Sequence, residues 1–411
     1  MRSISTMPKM RPACLLIGLG WGLLTGFSFA IAEAESVHTT VLAVGLLVAV
    51  FGTALTAGSV AVFLEWVQSS VGLLIAAHAL VAVISGLVRE SSASGIFRYV
   101  ALVPAISVCL YMARAGPRAF KSFRLGLTLS GLAFVAYHLA YLDPGSLLDP
   151  HYRITLFLNT NGVGFIAAMT AISLLAFIER DRRIVTFVIS VSVLACCVLC
   201  FATKSRTASL ALLAGTVTHF SLRFRRSHAR ALVLIAIGVA FWVIVTTDIG
   251  VNTARNIGDI YMVTDQYRSV KSGTFRYEVW WFVISVLWPL NPMLGVGPGQ
   301  HEPIVEAATN QIGAHNGLLA NLAEVGLLGT MPLIAILLLS FIRGRGNPMS
   351  AFALPLLVGG LVESVAETMF FSMGNPGSLL FLLSIALLCQ LPMRRGTRVI
   401  VSTGIRAAEG A

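Results

Sequence analysis

GTFRYEVWW (Gly273 to Trp281), PLNPMLGVGPG (Pro289 to Gly299) and AHNGLLANLAEVGLLG (Ala314 to Gly329) lie in, or at the end of, one long polar interruption. It runs from about Asp248 to His315, and almost everything before and after it is apolar. Loop backbone cannot face lipid, so this segment sits in water or lines a wet cavity. Arginines, histidines and turn residues gather in it. It is therefore the candidate active site of an otherwise membrane-embedded chain.

Composition supports that division. The hydrophobic fraction is 56% and the charged fraction 11%, where soluble domains run near a quarter charged. Mean hydropathy is +0.84. A chain of 411 residues has room for about a dozen spans of ~20 residues. The expected fold is an all-α polytopic membrane protein of about 12 transmembrane helices, with one large periplasmic loop between the ninth and tenth. The spans fall near 12–32, 39–63, 67–88, 96–113, 124–142, 156–178, 184–202, 205–222, 230–247, 316–341, 349–368 and 377–393. Residues 1–247 then hold nine spans, 248–315 the outer loop with short surface helices, 316–393 three spans and 394–411 a cytoplasmic tail. MRSISTMPKMR, the apolar run Ala13 to Ala32 and AIAEAES have the outline of a signal peptide. The run is long for that role, so an uncleaved first span is expected.

A net charge of +11 does not point to nucleic acid, because the charge lies in short loops between spans. Alternating the loops puts twenty of the 29 Lys and Arg inside, with both termini, and nine outside. That bias sets the long loop on the outer side. The outer cations run against the rule and need another reason to exist. Among them, Arg153 precedes the sixth span in DPHYRITLFLNTNG. Lys204 and Arg206 stand in TKSRTASL, with almost no loop to hold them, and Arg276 lies in the long loop. A charge held at the membrane surface is expensive unless paired, and a resident anion offsets the cost.

Asn159 and Asn161 follow Arg153 at the start of a span, beside Gly162 and Gly164. Buried asparagine needs a partner, so a site role and interhelical hydrogen bonding both remain open. Glu363 and Glu367 share one helical face, where structural pairing with an outer arginine is the first expectation. His78 and His138, each alone in a span, read as packing residues. The six cysteines fall in apolar runs and read as small packing residues, Cys197-Val-Leu-Cys200 included. GVGPG follows Pro-Leu-Asn-Pro and contains a proline, so it reads as a tight turn and not a dinucleotide fingerprint. Trp280, Trp281 and Trp288 suit an interfacial belt. His301, Glu302 and Glu306 match no standard zinc spacing, so no metal and no cofactor is expected.

His315-Asn316 opens the tenth span directly after the wet loop. An imidazole there can take a proton from a hydroxyl, or simply cap the helix start. Several guanidiniums facing one cavity suit a diphosphate, which accepts bidentate hydrogen bonds. Arg153, Arg206 and Arg276 with His315 therefore describe group transfer from a lipid-linked diphosphate to an alcohol. A transporter of the same lipid-linked glycan is the alternative. It calls for charged or broken-helix features at mid-membrane in both halves, whereas the arginines here lie on one side.

Four elements in order, RITLFLNTNG, SRTASLALLAG (Ser205 to Gly215), GTFRYEVW with PLNPMLGVGPG, and AHNGLLANLAEVGLLG, resemble the bacterial O-antigen ligase and polymerase family. The resemblance covers about Arg153 to Gly329. It implies an inverting, metal-independent glycosyltransferase of the bacterial inner membrane, active at the periplasmic face in O-antigen or exopolysaccharide synthesis. The implied donor is an undecaprenyl-diphosphate-linked glycan, and the implied acceptor is a lipid-linked repeat or the lipid A core. By resemblance His315 activates the acceptor hydroxyl, and Arg153, Arg206 and Arg276, with Lys204 and Asn161, bind the diphosphate. Arg206 and Arg276 also take a catalytic part, at the departing group. Glu324, Gly326 and Gly329 would be structural. The family often has Pro-Asn where this chain has Thr160-Asn161.

Overall fold

The computed structural model describes residues 10–27, 35–57, 69–115, 117–143, 145, 160–178, 183–223, 272–311, 313–344, 349–365, 367–368 and 376–389. These residues are helical, with no strand among them. In chain order the helices are α1 (Met10–Gly26), α2 (Glu35–Ala57), α3 (Ser70–Val88), α4 (Ala93–Val100), α5 (Leu102–Arg114), α6 (Pro117–Ala140) and α7 (Thr160–Leu175). They continue with α8 (Arg183–Ala202), α9 (Arg206–Arg223), α10 (Ser272–Phe282), α11 (His301–Thr309), α12 (Gly317–Gly344), α13 (Ser350–Ser364) and α14 (Pro376–Cys389). α10 runs on through a π turn, Val283–Leu287, to Leu290. Where residues of the spans read from the sequence are described they are mostly helical; 230–247 and parts of several other spans lie outside the described residues.

Among the described residues, five helical stretches are long and apolar enough to cross a membrane: Ser70–Val88, Ala93–Arg114, Arg118–Ala140, Arg183–Ala202 and Gly317–Gly344. Five others are apolar but shorter. α14 is buried along its whole length, so it is the central strut against which α5, α7, α12 and α13 pack. Lipid gives apolar helices little reason to associate, so close approach depends on small residues. A Cβ on Gly18 would lie 2.3 Å from the Phe123 carbonyl, and one on Gly126 would lie 2.2 Å from that of Leu15. Those two glycines let α1 and α6 touch backbone to backbone. Gly215 and Gly359 do the same for α9 against α13.

His78 and His138 behave as read: His78 Nδ1 meets the Gly329 carbonyl at 2.7 Å, and His138 Nδ1 meets that of Phe134 at 2.9 Å.

Two departures from a simple helical bundle position the site. The first is a break in α12 at Gly326, with φ 62° and ψ −164°, a region open essentially to glycine alone. The second is the PLNPMLGVGPG turn, which fills that break. Val296 and Gly297 N–H donate to the carbonyls of Ala323 and Glu324, while Leu327 and Leu328 N–H donate to those of Pro292 and Met293. Helix carbonyls and amides freed by the break are thereby satisfied, as a low-dielectric setting demands. A Cβ at Gly326 would lie 2.4 Å from the Met293 carbonyl carbon. Gly326→Ala should destabilise the protein by roughly 2–3 kcal/mol or more, read as a lower midpoint of thermal unfolding in detergent.

Candidate functional site

The site lies where α10, the start of α12, and the ends of α7, α9 and α13 meet. Hydrophobic contact fixes the frame. Val279, Val283 and Leu287 of α10 and its π turn pack with Val305 of α11 and with Ala314, Ala320 and Ala323. The Trp280 indole N–H donates to the Ala314 carbonyl at 2.8 Å. Asn316 caps α12, its Oδ1 accepting from the Leu318 and Leu319 amides at 3.0 Å each. Its Nδ2 donates to the Val365 carbonyl at 2.9 Å. His315 is held between these anchors with φ +45°, a left-handed conformation that costs a non-glycine residue free energy. Surrounding contacts thus impose the orientation of this imidazole.

Three of the residues singled out from sequence converge on a fourth group, the Glu367 carboxylate. Arg276 Nη2 donates to Glu367 Oε1 at 3.0 Å, and Asn161 Nδ2 donates to the same oxygen at 2.5 Å. His315 Nδ1 stands 3.7 Å from Oε2. The Glu367 side chain is 4% exposed, Arg276 is 34% and His315 is 31%. The cation and the imidazole therefore face the accessible side, with the carboxylate behind them. Both readings left open for Asn161 meet here: it is paired, and it is paired at the site.

Arg206 enters from the adjacent helix. Ser205 Oγ accepts from the Ala208 amide at 3.3 Å and starts α9, so Arg206 is the first residue of α9, and it is exposed. Its neighbour Thr207 donates to Glu363 Oε1 at 3.2 Å. Glu363 lies one turn before Glu367 and is wholly buried. Gly164 brings this turn close to Asn161, since a Cβ there would lie 2.8 Å from both Thr203 Oγ1 and Ala208 Cβ. Lys204 is buried, 4% exposed, in the same turn with φ +50°. Arg153 lies outside the described residues.

A second polar cluster stands behind the first. Tyr99 OH donates to Glu324 Oε2, and His301 Nδ1 lies 2.5 Å from Glu324 Oε1. Of His301, Glu302 and Glu306, His301 turns inward while Glu306 is exposed. Gly313 lies over the His301 ring, its added Cβ falling 3.5 Å from Nε2. This cluster therefore underpins the turn that carries His315. Burial alone would lower the His301 pKa, but the Glu324 hydrogen bond and charge more than offset it, so the imidazole is raised above its ordinary value. A raised pKa stabilises the fold fully below the unfolded value of 6.5, and that contribution is lost as pH climbs through the folded value. Unfolding midpoints should fall as pH rises from about 6.5. That slope should flatten in His301→Gln.

The pairing with an arginine expected on the Glu363/Glu367 face is met at Arg276–Glu367, whereas sequence reasoning missed the Tyr99–Glu324–His301 cluster. The available signal was charge standing inside apolar sequence. The tryptophans also divide: Trp281 is 71% exposed, as an interfacial residue would be, whereas Trp280 and Trp288 bond the Ala314 and Pro292 carbonyls. Another outer cation, Arg89, is explained locally, since it donates to Asn291 Oδ1 in the PLNP turn.

Comparison with known proteins agrees with this geometry. No curated protein matches the chain. Residues 191–334 match the family model described as O-antigen ligase. The matched stretch contains Arg206, Arg276 and His315, and stops short of Glu363 and Glu367. Over residues 191–334, this chain is similar to the O-antigen ligase family.

Proposed function

We propose that this protein is a membrane glycosyltransferase that moves a glycan from an undecaprenyl-diphosphate carrier to an acceptor hydroxyl at the periplasmic face. The family match supports membrane glycosyl transfer of the ligase or polymerase type. The observation that carries the finer reading is the convergence of Arg276, Asn161 and His315 on one buried carboxylate, with Arg206 at the next turn. Guanidiniums on the accessible side suit an anionic leaving group. An oriented imidazole beside them suits a hydroxyl nucleophile.

In this reading the diphosphate rests against Arg206 and Arg276, with Arg153, Lys204 and Asn161 completing its cradle. His315 takes the acceptor O–H proton at Nε2. The oxygen attacks the anomeric carbon, and the bond from that carbon to the diphosphate oxygen breaks. The bonding electrons leave with undecaprenyl diphosphate, and one displacement inverts the anomeric centre. The guanidiniums supply the positive charge at the departing group, so the scheme calls for no metal. The twelve-span layout with both termini in the cytoplasm belongs to the same proposal.

The test is transfer by purified protein from undecaprenyl-diphosphate oligosaccharide, with a second lipid-linked repeat or lipid A core as acceptor. Longer lipid-linked chains define a polymerase, and glycan on lipid A core defines a ligase. Donor that is moved across vesicles without transfer to either acceptor overturns the reading in favour of a transporter.

A further inference from the structure

The Glu367 carboxylate is positioned to change partners during the reaction. Both of its present hydrogen bonds end on Oε1, from Arg276 and Asn161. Oε2 faces His315 Nδ1 at 3.7 Å, which is beyond a hydrogen bond but within a small side-chain movement of one. Arg276 is the more exposed member of the ion pair, so an arriving anion meets the guanidinium before the carboxylate. A diphosphate offers more acceptor oxygens than one carboxylate and suits a guanidinium better.

Withdrawing Arg276 would leave Glu367 buried with its charge uncompensated, an expensive state. Glu363 lies one turn away, and its Oε2 has no partner. Among the described residues, His315 stands in reach of Glu367 and is able to donate to it.

We propose that Glu367 is an exchangeable counter-ion, holding Arg276 in the empty site and passing to His315 Nδ1 once the donor diphosphate has claimed the guanidinium. This rests on the diphosphate-transfer reading above. Its consequence is ordered activation. With Glu367 on Nδ1–H, the imidazole presents Nε2 to the acceptor, and the imidazolium formed by proton transfer has a carboxylate beside it. That arrangement arises only with the donor seated, which limits transfer to the filled site. Glu367 acts here as a positioning residue.

The signature is a split between binding and turnover. In Glu367→Gln the guanidinium has no charged competitor, so undecaprenyl diphosphate should bind roughly three- to tenfold more tightly. Turnover should fall on the order of tenfold or more, because the imidazolium loses its carboxylate. The experiment titrates purified full-length protein in detergent with undecaprenyl diphosphate, using wild type, Glu367→Gln, Glu367→Asp and Arg276→Ala. Glu367→Asp keeps the charge but withdraws it from Arg276, so it too should bind more tightly, and it serves if the amide variant does not yield monodisperse protein. Unchanged or weaker binding in the Glu367 variants, beside Arg276-dependent binding in wild type, overturns the exchange and leaves the transferase reading standing. Binding that Arg276→Ala leaves intact overturns the diphosphate site itself.

Discussion

His315→Ala should reduce glycan transfer by about 10²–10⁴-fold while leaving the protein at wild-type levels in the membrane. The left-handed backbone at this residue, the Asn316 cap on α12 and the Trp280 bond to Ala314 hold the turn without help from the imidazole. Alanine therefore removes the base and leaves the scaffold. Affinity for undecaprenyl diphosphate should fall by a much smaller factor than rate, because the guanidiniums carry most of that term and the imidazole only receives Glu367. The measurement is initial rate at saturating donor together with a separate binding isotherm. A variant that loses binding and rate together would show that the imidazole contacts the donor instead of the acceptor hydroxyl.

Arg206→Ala should cost on the order of 2.7–4 kcal/mol of transition-state stabilisation, the loss typical of removing one oriented donor from developing negative charge. Arg206 opens α9 as an exposed side chain. Ser205 caps the helix and Thr207 makes the neighbouring bond to Glu363, so the start of α9 has anchors besides the guanidinium. Arg206→Lys should recover only part of the rate, since an ammonium is a point charge that cannot bond two oxygens in a fork. Rate and expression measured together decide the matter. Full activity in Arg206→Ala would remove this residue from the diphosphate site.

Much of the fold was legible because a membrane chain writes its helices as apolar runs. Helix stands at most described positions where such a run was read, and the short polar breaks mark helix ends. The π turn after α10 and the break at Gly326 were not legible. Both occur in continuous apolar sequence, and the break exists only because a turn some thirty residues earlier supplies its hydrogen bonds. The arginines stand out because, on the sidedness read from the sequence, they contradict charge bias and so demand a cause. The acidic half of the site was harder to see. Glu367 reads as half of an i, i+4 pair, and nothing local announces that residues 91 and 206 positions away converge on it. The same holds for Glu324, whose partners Tyr99 and His301 come from other elements. Charge within an apolar run signals that a partner exists, and only the packing of the helices identifies it.

The most direct test of the central claim counts products. Purified protein would be given undecaprenyl-diphosphate oligosaccharide and acceptor, with released undecaprenyl diphosphate measured against new glycosidic bonds, and the anomeric configuration read by NMR. Direct displacement at this site predicts one carrier released per bond formed, with the configuration inverted. Carrier released without a matching bond, or a bond of retained configuration, would contradict it.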